Sequence, residues 1–115
     1  MSQTLLTDRP ALLRQRARAL KSSALFLHDI AAGEIEDRLS LVNKSFTTPA
    51  IVTGFPGFWQ GHHPRATVVG DDEILALRPG AHDLVIHALC LHWADDPVGQ
   101  LVQARRALVP DGLML

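Results

Sequence analysis

The sequence predicts an α/β fold in which a mostly parallel sheet of about four strands follows a pair of helices. From Ala50 onward, short apolar runs alternate with helical or turn segments, as expected for β-α-β units. The run from Leu84 to Leu91 is almost continuously apolar, which is typical of a central parallel strand covered on both faces. Before residue 48 the apolar residues recur at helical spacing instead. We therefore divide the chain into a helical cap at 1–48 and a sheet domain at 49–115.

Size and composition limit the class of protein. The chain has 115 residues, is 47% hydrophobic and carries a net charge of −1, which fits a small globular fold and gives no general attraction to nucleic acid or to anionic membranes. The first residues lack the pattern of a secretory signal, and no apolar run is long enough to cross a bilayer. These features predict a cytoplasmic protein that binds neither nucleic acid nor membrane.

The first helix is predicted to start in the segment Thr7-Asp8-Arg9-Pro10, where a capping oxygen precedes a proline whose missing N–H is not needed in a first turn. It is expected to run to about Lys21. Its apolar positions are Leu13, Ala17, Leu20 and Ala24. Five of the eleven basic residues fall between residues 9 and 21. We interpret them as a solvated face, although arginine stems can also cover apolar surface or an acidic ligand.

The second helix is predicted from apolar residues that recur at steps of four or three. These are Leu27, Ala31, Ile35, Leu39 and Val42. The pattern ends at the segment from Ser45 to Pro49, where turn-forming residues break it.

Four strands and a further helix are predicted in the rest of the chain. The strands are Ala50–Thr53, Ala66–Val69, Leu84–Leu91 and Leu113–Leu115. The helix begins at Asp96-Pro97. Its expected inner face is Val98, Leu101, Val102, Arg105 and Leu108. A turn at Pro110-Asp111-Gly112 then leads into the last strand.

Candidate binding residues follow the strands, since ligands of open parallel sheets lie outside the carboxyl ends of the strands. Gly54 and Gly57 frame one loop, which is either a ligand-binding loop or only a tight strand-to-helix turn. Asp71 begins an acidic run seventeen residues after Gly54, and it either contacts a ribose or belongs to a solvated loop with a helix cap. A third loop covers 92–96.

Cys90 is predicted to be a buried thiol with a raised pKa, because it lies in the apolar run that forms the central strand. On a strand, His92 would share its face, whereas His87 would point the other way. The six histidines show no spacing that completes a metal site, so no metal is expected. No hydrolase or kinase motif is present.

The stretch from His82 to Pro97, followed by 105–113, resembles class I S-adenosylmethionine-dependent methyltransferases of the methyltransferase type 11 and biotin-synthesis group. The resemblance rests on the acidic-Leu-Val strand at Asp83-Leu84-Val85, the Leu-His-Trp turn at 91–93, and the helix end Arg-x-Leu-x-Pro-x-Gly at 106–112. The Asp8-Arg9 helix and the segment Arg38 to Phe46 look like the flanking helices of the branch related to the mitochondrial complex I assembly methyltransferase.

The resemblance implies a truncated Rossmann-like methyltransferase sheet and S-adenosylmethionine as cofactor. It places Gly54 and Gly57 in the cofactor loop, Asp71 at the position that contacts adenosine, and His87 beside the cofactor. It identifies neither a catalytic residue nor the methyl acceptor. Thr53 supplies no carboxylate to the glycine motif, and one β-α unit stands where the family has two.

Two functions follow from this comparison. One is a shortened or degenerate methyltransferase, whose isolated chain is predicted to bind S-adenosylmethionine weakly or not at all. The alternative is a non-catalytic domain that retains the fold for interaction or assembly. In either case, exposed helix faces predict a homodimer or larger oligomer, or binding to a partner protein.

Overall fold

The computed structural model describes residues 8–19, 26–42, 45–72, 74–91 and 94–115. In these residues the chain forms α1 (Arg9–Ala19), α2 (Phe26–Leu41), β1 (Pro49–Thr53), α3 (Pro56–His62), β2 (Thr67–Gly70), β3 (His82–Ala88), α4 (Pro97–Ala107) and β4 (Leu108–Met114). The four strands make one sheet in the order β2-β1-β3-β4, and every neighbouring pair is parallel. The predicted α/β class and parallel sheet are confirmed.

The predicted central strand is confirmed as β3, which lies between β1 and β4. Val85 and Ile86 point to opposite faces of the sheet, and both are buried. The strand ends at Ala88 rather than at Leu91. Leu89 has a φ of 55°, a left-handed conformation that ends the extended backbone.

Helices α2 and α3 cover one face of the sheet. Ile51 and Ile86 of the sheet belong to a buried cluster with Ala32 of α2 and Trp59 of α3. The predicted apolar face of α2 is confirmed in its middle, where three of its residues pack partly buried against this cluster: Ala31, Ile35 and Leu39. The two ends of that face, Leu27 and Val42, are exposed.

Helix α4 covers the other face, but with a different side than predicted. Its start is as expected, since the Asp96 carboxylate accepts a hydrogen bond of 2.9 Å from the amide of Gly99. Ala104 and Ala107 then pack on Ala50 and Val85, because small side chains let the helix approach the sheet closely. The predicted inner face is wrong, and four of its residues are exposed: Val98, Leu101, Val102 and Arg105. The fifth, Leu108, already belongs to β4.

Helix α1 also differs from the prediction. The Asp8 carboxylate caps it by accepting from the amide of Ala11 at 3.2 Å, as expected. Its predicted apolar face is wrong, because Leu13 is 55% exposed while Leu12 and Arg16 are the buried side chains in its described part. The other predicted positions are exposed or outside the described residues: Ala17 is exposed, and Leu20, Lys21 and Ala24 are not described.

Strand β4 is longer than predicted and includes the expected turn as a bulge. Leu108 pairs with His82, and Leu113 pairs with Leu84, so three extra residues of β4 bulge out between these pairs. Asp111 takes a φ of 67° there. Of the predicted strand at 113–115, Leu113 and Met114 are thus the last two residues of β4, and Leu115 lies beyond it.

The amino ends of β1 and β3 are joined by the Asp83 carboxylate. It accepts hydrogen bonds from the amides of Thr47 at 2.7 Å and Thr48 at 3.0 Å. Burial by itself raises the pKa of Asp83, but these hydrogen bonds outweigh it and lower the pKa. Asp83 therefore anchors the end of the sheet opposite to the predicted binding loops. In the described part of the chain, no helix has the length and apolarity needed to cross a membrane.

Candidate functional site

The candidate site lies where the carboxyl ends of β1, β2 and β3 meet. Gly54 follows β1, Asp71 follows β2 and Leu89 follows β3. After β1 the chain forms β2 on one side of that strand, and it then crosses over to form β3 on the other side of β1. Such a switch of direction opens a crevice in which ligands of open α/β sheets bind.

A buried ion pair between Arg16 and Asp71 occupies this edge. Arg16 donates from Nη1 to Oδ1 of Asp71 at 2.7 Å and from Nη2 to Oδ2 at 2.8 Å. The residues are only 9% and 4% exposed, so both oxygens of the carboxylate are engaged away from water. The planar fork of a guanidinium suits this two-point contact. Asp71 is thus neither the solvated loop nor the helix cap that the sequence left open.

Arg9 brings a second cation from the same helix. Its Nη2 lies 3.5 Å from Oδ1 of Asp71 and 3.8 Å from Oδ1 of Asp72. Burial by itself raises the pKa of Asp71, but the hydrogen bond and charge of Arg16 and the charge of Arg9 outweigh burial and lower it. The carboxylate is therefore ionised at neutral pH.

Gly54 lies directly under the Arg16 guanidinium. A Cβ built on Gly54 would overlap three atoms of Arg16, with Nε at 2.5 Å and Nη2 at 2.6 Å. Real Cβ atoms do not approach so closely, so glycine is needed here for the arginine to lie where it does. The carbon of the guanidinium also sits 5.9 Å from the centre of the Phe55 ring, a cation–π distance.

Gly57 does not join this site. It lies exposed in the first turn of α3, and a Cβ there would meet no atom within 4 Å. Thr53, at the end of β1, is fully buried and its hydroxyl accepts a hydrogen bond from the amide of Phe55 at 3.0 Å. The loop after β1 is thus a tight turn whose close backbone approach is confined to Gly54.

His87 is linked to the Asp71 loop through Gln100 of α4. The Gln100 side chain donates to the carbonyls of Asp71 at 3.1 Å and Asp72 at 3.2 Å. Its carbonyl oxygen lies 2.7 Å from Nε2 of His87. Because the amide nitrogen of Gln100 is committed to the loop, the Gln100 oxygen faces His87 and accepts a hydrogen bond from Nε2.

Cys90 and His87 are neighbours, contrary to the prediction that they face apart. Sγ of Cys90 lies 3.4 Å from Nδ1 of His87 and 3.5 Å from the carbonyl of Val52. The strand geometry on which the prediction relied ends at Ala88, and the left-handed Leu89 turns the chain back. Burial raises the pKa of Cys90 to about 12, as expected for an inert thiol. His92, the partner that the sequence favoured, lies outside the described residues, as do Glu73 and Trp93.

His28 of α2 lies near Arg16 at the candidate site. His28 Nδ1 accepts a hydrogen bond of 3.0 Å from Nε1 of Trp59. The His28 ring meets the Phe55 ring edge-on, with 4.8 Å between the ring centres. Burial, followed by the charge of Arg16, lowers the pKa of His28. The neutral ring is the form that fits, because a protonated Nδ1 could not accept from Trp59.

We expect the stability of the chain to fall on acidification because of His28. Its pKa is lower in the folded state than the ordinary value of 6.5, so the unfolded chain takes up a proton first and stability is lost as pH falls below about 6.5. Urea unfolding between neutral pH and pH 5 measures the effect. His28→Asn keeps an acceptor without a titratable group and should flatten this dependence. An unchanged slope in His28→Asn would contradict the assignment.

Sequence reasoning missed the two residues that organise the site. Arg16 is among the basic residues interpreted from the sequence as a solvated face, with an acidic ligand as the alternative, and Gln100 is not singled out there. The sequence holds no local signal for either residue, because hydrophobic periodicity assigns polar helix positions to the solvent. Within the described residues, no three His, Cys, Asp or Glu side chains come together as a metal site.

Comparison with known proteins identifies a family. A family model described as a methyltransferase domain matches residues 29–115. The chain is 36% identical over 52 residues to the protein named arginine-hydroxylase NDUFAF5, mitochondrial, from Danio rerio and to its Homo sapiens counterpart. That region is 45% of this chain, but only 16% of the fish protein and 15% of the human one. No solved structure matches significantly.

Proposed function

The chain belongs to the methyltransferase domain family, and from this premise we propose that it binds S-adenosylmethionine at the edge formed by Gly54 and Asp71. It is a member of the S-adenosylmethionine-dependent methyltransferase family whose acceptor is unknown. The chain covers about a sixth of the curated relatives it matches. Their named activity is therefore not transferred to it.

The residue types at this edge fit such a cofactor. The Asp71 carboxylate can accept hydrogen bonds from two ribose hydroxyls. Because Gly54 has no side chain, a planar group can lie against its backbone. In this structure the Arg16 guanidinium fills that space. When bound, the cofactor would supply a methyl group on a sulfonium centre. The protein would then contribute positioning and the exclusion of water, rather than acid–base chemistry. Gln100 of α4 would hold the Asp71 loop in place, and His87 of β3 would orient the Gln100 side chain.

One observation carries the proposal and also sets its strength. The carboxylate and the glycine surface expected to receive the cofactor are already joined by Arg16. These residue types suit a cofactor site, but in this arrangement the Arg16 side chain occupies it. We therefore expect the isolated chain to bind S-adenosylmethionine weakly, in the millimolar range instead of the micromolar range.

Titration of the nitrogen-labelled chain with S-adenosylhomocysteine, followed by amide NMR shifts into the millimolar range, tests this function. Shifts should concentrate at Phe55, Asp71 and Asp72, and Asp71→Asn should reduce them. ATP serves as the nucleotide control and should not reproduce the pattern. Shifts scattered elsewhere, or none at all in the wild type and in an Arg16→Ala chain, would overturn the proposal. A micromolar dissociation constant abolished by Asp71→Ala would instead show an open cofactor site.

We also propose a cytoplasmic location. The chain has one cysteine, and Cys90 is a buried thiol, as is usual where thiols stay reduced. The names of the two relatives place those two proteins in mitochondria.

A second candidate function is a non-catalytic interaction domain that forms a homodimer. Phe26, Leu27 and Ile30 of α2 are all more than half exposed, and adjacent apolar side chains at a helix surface favour association. Light scattering at micromolar concentration should give a dimer mass. Ile30→Asp should shift the mass to the monomer without changing the circular dichroism, and Glu36→Gln on the same helix should not. A monomeric wild type would contradict this candidate.

A further inference from the structure

Helix α1 is attached to the rest of the protein mainly at the candidate site. Leu12 and Arg16 are the buried side chains in its described part. Neighbouring side chains of the helix, including Leu13, Arg14 and Ala17, are exposed. Little apolar surface would be uncovered if α1 left its place, so its departure is a local opening and not global unfolding.

The position of Arg16 excludes a ligand from the same edge. Both oxygens of Asp71 accept from its guanidinium, so neither is free in this direction for a ribose hydroxyl. The guanidinium also contacts the surface of Gly54 so closely that a single added carbon would overlap it. A planar group from a ligand therefore cannot rest on Gly54 while Arg16 is there.

The contact is specific to this helix face. Arg16 engages Asp71 through two nearly equal hydrogen bonds, and Arg9, two turns earlier, reaches the same carboxylate at 3.5 Å. Two cations on one side of α1 thus converge on one buried anion. Neutralisation of an otherwise unpaired buried carboxylate is the force that holds the helix at the site.

We propose that α1 is a displaceable plug, in which Arg16 acts as an internal competitor for the S-adenosylmethionine site of the proposed function. The chain then has a closed form, with Arg16 on Asp71 and Gly54, and an open form in which α1 has left and the edge can accept the cofactor. The measured affinity is the intrinsic affinity reduced by the fraction of open chains. This inference rests on the proposed function and adds its regulation: any condition that loosens α1 raises affinity for the cofactor.

The test compares Arg16→Ala with Arg14→Ala in the full chain. Arg14 is an exposed arginine on the same helix, so its loss controls for charge and helix content. S-Adenosylhomocysteine should bind Arg16→Ala at least about tenfold more tightly than the wild type, which corresponds to the open fraction rising by the same factor. Arg14→Ala should bind like the wild type. Circular dichroism and a thermal melt establish that each variant is folded.

Hydrogen exchange of the α1 amides provides a second measurement. In the wild type, added S-adenosylhomocysteine should speed exchange at residues 12–19, because ligand and helix exclude one another. Asp71→Asn should also speed exchange there but should not gain affinity, since it removes the ligand's partner together with that of Arg16.

The outcomes separate this inference from the function on which it rests. Equal binding by the wild type and Arg16→Ala, or slower α1 exchange with ligand, would leave the cofactor site standing and overturn the plug. Weaker binding by Arg16→Ala would make Arg16 part of the ligand site, which also overturns it. Absence of binding in every variant would overturn both proposals.

Discussion

Trp59→Ala is expected to lower the free energy of unfolding by about 3–5 kcal/mol, the usual cost of deleting a large aromatic side chain from a core. Trp59 is fully buried in α3, and it belongs to the cluster that includes Ala32 of α2 and Ile51 of β1. Its ring lies parallel to that of His63, with 6.3 Å between the ring centres. For a domain of this size, such a loss is a large part of the total stability. Urea unfolding at neutral pH measures it.

Trp59→Phe is the matched variant. It retains much of the ring but removes the N–H that donates to Nδ1 of His28, leaving a buried acceptor unpaired at a cost of about 1–3 kcal/mol. Trp59→Phe should therefore lie between the wild type and Trp59→Ala. If Trp59→Ala costs less than about 1 kcal/mol, well under the usual range for core aromatics, then α3 does not pack on the sheet as described.

Alkylation of Cys90 by iodoacetamide at pH 8 is expected to be about a thousandfold slower in the folded chain than in urea, because only the thiolate reacts. Burial raises the pKa of Cys90 to about 12, whereas an unfolded cysteine titrates near 8.5. The side chain is also almost completely shielded, at 1% exposure. Mass spectrometry of the alkylated protein over time gives both rates.

Sγ of Cys90 lies 3.4 Å from Nδ1 of His87, so the alkylation rate also tests whether His87 activates Cys90 as a nucleophile. Cys90 would react nearly as fast as the unfolded thiol if His87 drew its proton away. A folded rate within about tenfold of the unfolded rate would thus favour an activated thiolate. Stability should also decline as pH rises above about 8.5, because the unfolded thiol then loses its proton while the folded one retains it. Cys90→Ala, which cannot titrate, should lack this decline.

The sheet could be predicted from local sequence because its signal is local. β1 and β3 both lie in short, nearly continuous apolar runs, which is the pattern of a parallel strand buried on both faces. The middle of α2 was predictable for the same reason, since Ile35 and Leu39 repeat at helical spacing. The place of Asp71 directly after β2 could be predicted as well, because it depends only on where that strand ends.

The faces of α1 and α4 could not be predicted, because tertiary polar contacts orient them. Arg16 is buried by a carboxylate 55 positions away in the chain, and nothing near Arg16 in sequence distinguishes it from Arg14 or Arg18. Gln100 is buried by His87 and by two loop carbonyls. Hydrophobic periodicity assigns such residues to the solvent, so each helix was assigned the wrong side.

The hydrogen bonds of Asp83 to Thr47 and Thr48 also affect how β1 and β3 align. β1 and β3 pair with Pro49 opposite Leu84 and Ile51 opposite Ile86, and a slip by one residue would turn every side chain of a strand to the other face. A parallel pair of apolar strands offers little in its side chains to oppose such a slip. The two oxygens of Asp83 accept from the successive amides of Thr47 and Thr48. A slip that brought Thr48 and Pro49 to these oxygens would leave one of them without its donor, because proline has no N–H. One carboxylate, at the end of the sheet opposite to the candidate site, thus opposes a slip in that direction and supports the alignment that brings Gly54 level with the end of β3.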